Sequence, residues 1–219
     1  MLGNTGSKPV QSKHGLLTTM CYRIGDETFY ALEGSVELAG AAVKWAEKVG
    51  LVTDVKKLEA ECLTVPDSGD VYFVPALQGI FAPYWRADAR GCLIGMSLNT
   101  ERGHLMRALL EGPCFRTTEV VAAMGKDSGS RVEKMVVDGG MTVNNTLMQT
   151  QADLMNAQII RKQEKEITGV GAAIAAGVQV GFWKDLKEVE SKIQVDRVFE
   201  PVISKELRED RLQRWSDAV

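Results

Sequence analysis

The segment VVDGGMTVNN, Val136 to Asn145, passes from apolar strand-type residues through two adjacent glycines, Gly139 and Gly140, into a helical pattern. A strand that turns straight into a helix presents free N–H groups and partial positive charge at the helix start, which suits a phosphate or another anion. Glycine leaves the backbone bare there, so a flat base or a ribose can lie on it. Asn144, placed in the first helical turn, adds an amide able to donate to a base or a phosphate. The same residues also fit a tight strand-to-helix turn whose glycines only supply positive φ. Short glycine motifs do not separate the two meanings.

Gly40 raises the same question in LEGSVELAGAAVKW. Within a helix it costs about 1 kcal/mol relative to alanine, so a packed neighbour or a ligand must be using the space. Metal chemistry has little material. His14 and His104 are the only histidines, and Cys21, Cys62, Cys92 and Cys114 form no CxxC pair. That cysteine spacing argues against a disulfide framework or a zinc site and for a reducing, cytoplasmic setting.

Positioning these glycines requires alternating strands and helices. Gly15–Ile24 and Thr28–Leu32 read as a hairpin turned by Gly25-Asp26. Ser35 reads as the N-cap of a helix to Val49, with Glu37 in its first turn and Val36, Ala39, Val43 and Ala46 on one face. Asp54–Cys62 is a shorter, charged helix. Val71–Pro75 and Cys92–Ser97 are strands on either side of the Gly-, Pro- and aromatic-rich loop Gln78–Gly91. Arg102–Met124 is helical in pattern, with a break or bend expected at Gly112-Pro113. Met135–Val137 and Gln158–Arg161 are strands around a helix Thr142–Met155, and Ser204–Ala218 is a charged terminal helix. Met1-Leu2-Gly3 reads as the tail of a strand. The early hairpin excludes a purely parallel sheet, so the expectation is a mixed α/β domain with a buried sheet.

The 219 residues suffice for one large domain or two small ones. Net charge is −3, with 26 basic and 29 acidic residues interspersed, which gives no basic block for nucleic acid. The opening residues lack the apolar core of a signal peptide. Gly169–Trp183 is apolar apart from Gln179, but its 15 residues fall short of the about 20 that span a bilayer. With Lys162, Lys165 and Lys184 at its flanks, it is expected to be a buried helix, Thr168–Val180. Gly169, Ala173, Gly177 and Gly181 would form a small-residue packing stripe in the core.

Five segments carry a resemblance: NTGSKPVQSKHGLLTTM, YALEGSVELAGAAVKW, APYWRADARG, VVDGGMTVNNTLMQTQADLM and ITGVGAAIAAG. Together and in order they resemble the C-terminal half of the glycerol kinase branch of the FGGY carbohydrate kinase family. The resemblance implies an actin-like ATPase, ribonuclease H-like fold with a mixed five-stranded sheet flanked by helices. It implies that residues 1–219 are the C-terminal, nucleotide-binding domain alone, without the N-terminal glycerol-binding domain. The family reaction moves the γ-phosphate of Mg-ATP to glycerol, giving ADP and sn-glycerol 3-phosphate, with Mg2+ held mainly through ATP. Carried over by position, Gly139, Gly140 and Asn144 meet the adenosine end of the nucleotide, while Gly40 and Lys44 line the opposite wall. The family's catalytic base, its glycerol-binding side chains and a phosphate-contacting Gly-Thr-Gly turn correspond to positions before Met1. Asp88 and Asp138 match none of them, so no catalytic residue is assigned here.

Some residues depart from the family pattern. Lys44 replaces a usual uncharged polar residue, Gln78, Phe81 and Arg86 alter the aromatic loop, and Gly112-Pro113 interrupts a helix. Two classes of function stay open: half of a sugar kinase active once joined to a first domain, or a non-catalytic module for nucleotide or partner. The partners implied are ATP or ADP, and glycerol through the first domain. Neither nucleic acid nor a membrane span is expected, and self-association is left open.

Overall fold

The computed structural model describes residues 1–36, 38–164 and 166–219. It opens with β1 (Leu2–Gly6), β2 (Leu17–Ile24) and β3 (Glu27–Glu33), an antiparallel sheet in the order β1-β3-β2. The hairpin turns at Gly25, whose φ of 59° is the left-handed conformation that favours glycine there. After the sheet come α1 (Gly40–Lys48), a 3-10 turn Val55–Lys57 and α2 (Leu58–Cys62). The strands β4 (Tyr72–Val74) and β5 (Cys92–Ile94) pair antiparallel with each other. The long helix α3 (Arg102–Ser128) leads to β6 (Lys134–Val137), α4 (Asn145–Met155) and β7 (Gln158–Lys162). Then follow α5 (Ile167–Gln179), α6 (Leu186–Glu190), β8 (Val195–Phe199) and α7 (Lys205–Ala218). A third sheet has the order β6-β7-β8, with β6 parallel to β7 and β8 antiparallel.

The strands therefore form three small sheets of three, two and three members, and the expected single five-stranded sheet is not present. Alternating hydrophobicity identifies strands, but backbone pairing needs a neighbour at about 5 Å. Among the described residues no strand bridges the outer edges of β1 and β6. β8 was not read from the sequence. Four of its five residues are exposed, so it lacks a buried alternation.

The main core forms around α3. Phe115 stacks on Trp215 of α7 with ring centroids 4.8 Å apart, and Tyr72 of β4 tilts against both. α3 continues unbroken through Pro113, where a break or bend was expected. Every residue from Ala108 to Arg116 is buried, and an added β-carbon at Gly112 would lie 2.3 Å from the Phe73 carbonyl oxygen. Helical stability here comes from tertiary packing, which outweighs the about 3 kcal/mol that proline costs in a helix interior.

Two other helices differ from expectation. The helix expected from Ser35 begins at Gly40, with Ala39 before it, and Glu37 lies outside the described residues. Gly40 is therefore a first-turn residue, where the interior-helix penalty applies only weakly. The apolar helix α5 has no buried residue. Its stripe is not core: Gly169 and Gly181 have open space above them, and only Gly177 is closely packed, by Trp183. No helix of the described residues is long and apolar enough to cross a membrane.

Candidate functional site

Strand β6 ends at Val137, exposed Asp138 follows, and the chain turns at Gly139 with φ of 90°. Residues Gly140–Val143 form a 3-10 turn closed by Thr142, whose backbone N–H and hydroxyl both donate to the Gly139 carbonyl at 3.1 and 2.8 Å. The helix proper starts only at Asn145. The first-turn position expected for Asn144 is thus corrected: it is the N-cap, buried, with its Oδ1 accepting from Leu147 N at 2.8 Å. A side-chain oxygen in that role satisfies one of the orphan donors of a helix start, which is why asparagine ranks high there. Only its amide N–H groups remain to offer a ligand.

The two adjacent glycines have different reasons to be glycine. Gly139 needs positive φ. Gly140 does not, and an added β-carbon there would meet nothing within 4 Å. Neither the turn nor the packing demands that Gly140 be bare.

Gly40 gives the same result. Its φ is not positive, and an added β-carbon would make an ordinary contact of 3.6 Å with Cγ of Met141. That contact brings the start of α1 against the glycine turn, so Gly40 and Gly140 flank Met141. Lys44 stands one helical turn after Gly40 on the same row of α1, and it is exposed. No ion pair to Lys44 occurs among the described residues.

Sequence reasoning overlooked the residues that hold the turn in place. Arg161 of β7 donates from Nη1 to the Thr142 carbonyl at 2.7 Å and to Asn145 Oδ1 at 3.2 Å, while Nε reaches Asp196 at 2.5 Å. An arginine at the end of an apolar strand was the available signal. Arg161 also lines a cavity of about 300 Å3 beside the turn, with Asp138, Thr142 and Lys162. A larger cavity of about 1000 Å3 lies elsewhere, over Glu111 and Arg211, and none of Gly40, Lys44, Gly139, Gly140 and Asn144 lines it.

In that second region, burial pushes the Glu111 carboxyl above its usual range despite Arg211 at 2.8 Å and Arg107 at 4.0 Å. Burial likewise pushes the Cys62 thiol up to about 12, which leaves it inert at neutral pH. Among the described residues no three His, Cys, Asp or Glu side chains converge as a metal site.

The sequence profile of the C-terminal domain of the FGGY family of carbohydrate kinases matches residues 1–180. The chain belongs to that family. A glycerol kinase of Chloroflexus aurantiacus is 48% identical over 221 residues, which take in 100% of this chain and 44% of the relative. A glycerol kinase of Clavibacter michiganensis is 46% identical over the same shares. The chain thus spans less than half the length of the curated relatives it matches. Among solved structures, the glycerol kinase of Plasmodium falciparum with ADP superimposes with a TM-score of 0.93 at 40% identity. That match covers 99% of this chain and 44% of the other. A xylulose kinase of Lactobacillus acidophilus, at 24% identity, has a TM-score of 0.80 over 95% of this chain and 42% of its own, a likeness of fold alone. This FGGY domain shares the actin-like ATPase fold of these sugar kinases.

Proposed function

We propose that residues 1–219 form the nucleotide-binding domain of a glycerol kinase. Joined to an N-terminal domain like that of its relatives, it serves transfer of the γ-phosphate of Mg-ATP to glycerol, yielding ADP and sn-glycerol 3-phosphate. The observation that carries this reading is Gly140, which is bare although neither its φ nor its neighbours require it. A surface that stays open for no internal reason fits a ligand that lies on the backbone. Identity of 40% over 99% of this chain to 44% of a glycerol kinase solved with ADP supports the same ligand class.

In this reading adenosine lies over Gly139-Gly140, and the Asn144 amide donates to it. Gly40 lets the nucleotide approach α1, and Lys44 adds positive charge on that wall. Arg161 acts at one remove, by holding Thr142 and hence the turn. The reading brings Mg2+ in on the nucleotide phosphates, where it neutralises developing charge during transfer.

A chimera tests this reading. The matched region of the Chloroflexus aurantiacus relative is replaced by this chain, and glycerol-dependent ADP release is measured. The expected result is turnover above about 1 s⁻¹ in the chimera and none from the 219 residues alone. Turnover by the 219 residues alone would refute the assignment of base and glycerol site to the other domain. A folded but inactive chimera would refute the kinase reading.

A further inference from the structure

The polar atoms of the glycine turn divide unevenly into spent acceptors and available donors. Thr142 N and Oγ1 both donate to the Gly139 carbonyl, at 3.1 and 2.8 Å. The Met141 carbonyl accepts from Asn144 N at 3.2 Å, and the Thr142 carbonyl from Arg161 at 2.7 Å. Asn144 Oδ1 is taken by Leu147 N, and Asn145 Oδ1 by Arg161 and Arg197. Asp138, the carboxylate of the turn, lines the small cavity with Arg161 and Lys162, and no described residue of α1 lines that cavity.

The donors are in a different state. The Asn144 amide keeps its N–H groups after Oδ1 is committed. Gly140 and Met141 open the 3-10 turn, where N–H groups have no partner within the helix. Facing the turn, Lys44 follows Gly40 by one helical turn, on the row whose Gly40 meets Met141. Lys44 is exposed and makes no ion pair among the described residues. Its ammonium can only donate. The surface between the two bare glycines is therefore rich in donors and poor in acceptors.

Purines differ most at position 6. Adenine carries an amino donor there, beside the acceptor N7. Reading that edge takes a side-chain amide that donates to N7 and accepts from the amino group. Asn144 cannot do both, because its oxygen caps α4. A 6-oxopurine shows two acceptors on the same edge, O6 and N7, which suit lysine and other donors. We propose that this site takes 6-oxopurine nucleotides, those of guanine and hypoxanthine, at least as readily as adenine ones, with Lys44 as the residue that selects them. The Lys44 ammonium donates to O6 and the Asn144 amide to N7. The N1–H, on the far side of the base, faces water. Bare Gly40 and Gly140 leave room for the ring.

The inference rests on the reading of this surface as the nucleotide site and extends it to the identity of the base. The 219-residue chain is titrated with inosine diphosphate, GDP and ADP, and the amide shifts of Gly40, Gly140 and Asn144 are followed by NMR. All three ligands carry the same phosphates, so the ratio of affinities isolates the base. Inosine diphosphate and GDP are expected to bind at least as tightly as ADP. Lys44→Gln should lower the preference for inosine diphosphate over ADP about fivefold, the low end of what one good base contact discriminates. Lys48→Gln removes the same charge from an exposed position one turn further along α1 and should leave the ratio unchanged. Both substitutions are at exposed positions, and circular dichroism checks the folds. ADP binding more than about fivefold tighter than inosine diphosphate binding overturns the proposal and leaves the nucleotide reading intact. A wild-type ratio in Lys44→Gln overturns it as well, as does an equal change in both variants. Absence of shifts with all three ligands refutes the nucleotide reading and the proposal with it.

Discussion

A β-carbon placed on Gly40 would lie 3.6 Å from Cγ of Met141, an ordinary van der Waals distance. The first turn of α1 and the turn after β6 thus face each other across one methionine. Gly40 and Gly140, 100 residues apart in the chain, become walls of one surface, although neither is needed as glycine by its own backbone.

Gly140→Val should abolish nucleotide binding without unfolding the chain, since nothing lies within 4 Å of an added β-carbon there. A domain holding part of the ligand bears most of the association cost, so the expected affinity of the 219 residues for ADP is about millimolar, near −4 kcal/mol. NMR titration of wild type and variant, with circular dichroism as the fold control, measures this. Unchanged ADP shifts in a folded Gly140→Val protein would make the double glycine a turn and nothing more.

Gly177→Ala should destabilise the chain. Its β-carbon would fall 2.4 Å from the Trp183 ring, so the indole must move. Gly169→Ala, with open space above it, should instead gain up to about 1 kcal/mol from helix propensity. Thermal melts followed by tryptophan fluorescence compare the two. Equal melting temperatures would mean that Trp183 does not rest on Gly177.

Glu119 ties the aromatic loop to the terminal helix. Its Oε1 accepts from Tyr84 Oη and from Trp215 Nε1, both at 2.8 Å, and its Oε2 pairs with buried Arg116. Arg116 in turn donates to the Ala82 carbonyl at 2.7 Å. Glu119→Ala leaves a buried guanidinium without its carboxylate, so a loss of about 3–5 kcal/mol is expected in urea unfolding. A change below about 1 kcal/mol would show that the arginine finds another partner.

Asp127 predicts an acid transition. Burial raises its pKa, but hydrogen bonds from Ser12 Oγ, Lys13 N and His14 outweigh this and hold it at about 2. In an unfolded chain the value is about 3.9. The folded value is the lower one, so the stabilisation is whole above about pH 4 and is lost as pH falls through about 2. Asp127→Asn should be less stable than wild type by about 1–3 kcal/mol at neutral pH. The gap should close on acidification. A pH-independent gap would assign the loss to packing.

The sequence by itself determined most local structure and the family. Asp54 and Ser204 start helical segments by accepting from Lys56 N and Leu207 N, and Gly25 turns the hairpin, because caps and turns depend on a few adjacent residues. Gly139, Gly140 and Gly40 stood out for the same reason: a paired glycine at a turn, or a glycine in a helical pattern, is visible in one dimension. Only the tertiary structure decided which glycines were in fact unneeded. Gly139 proved to be required by its φ, while Gly140 and Gly40 did not. Tertiary packing also carried α3 through Pro113, where local rules predicted a break, because the residues around it are buried on all sides. The same dependence left α5 exposed. Its composition specifies an apolar helix, but burial needs an opposing surface, and whether these residues supply one is a property of the whole fold.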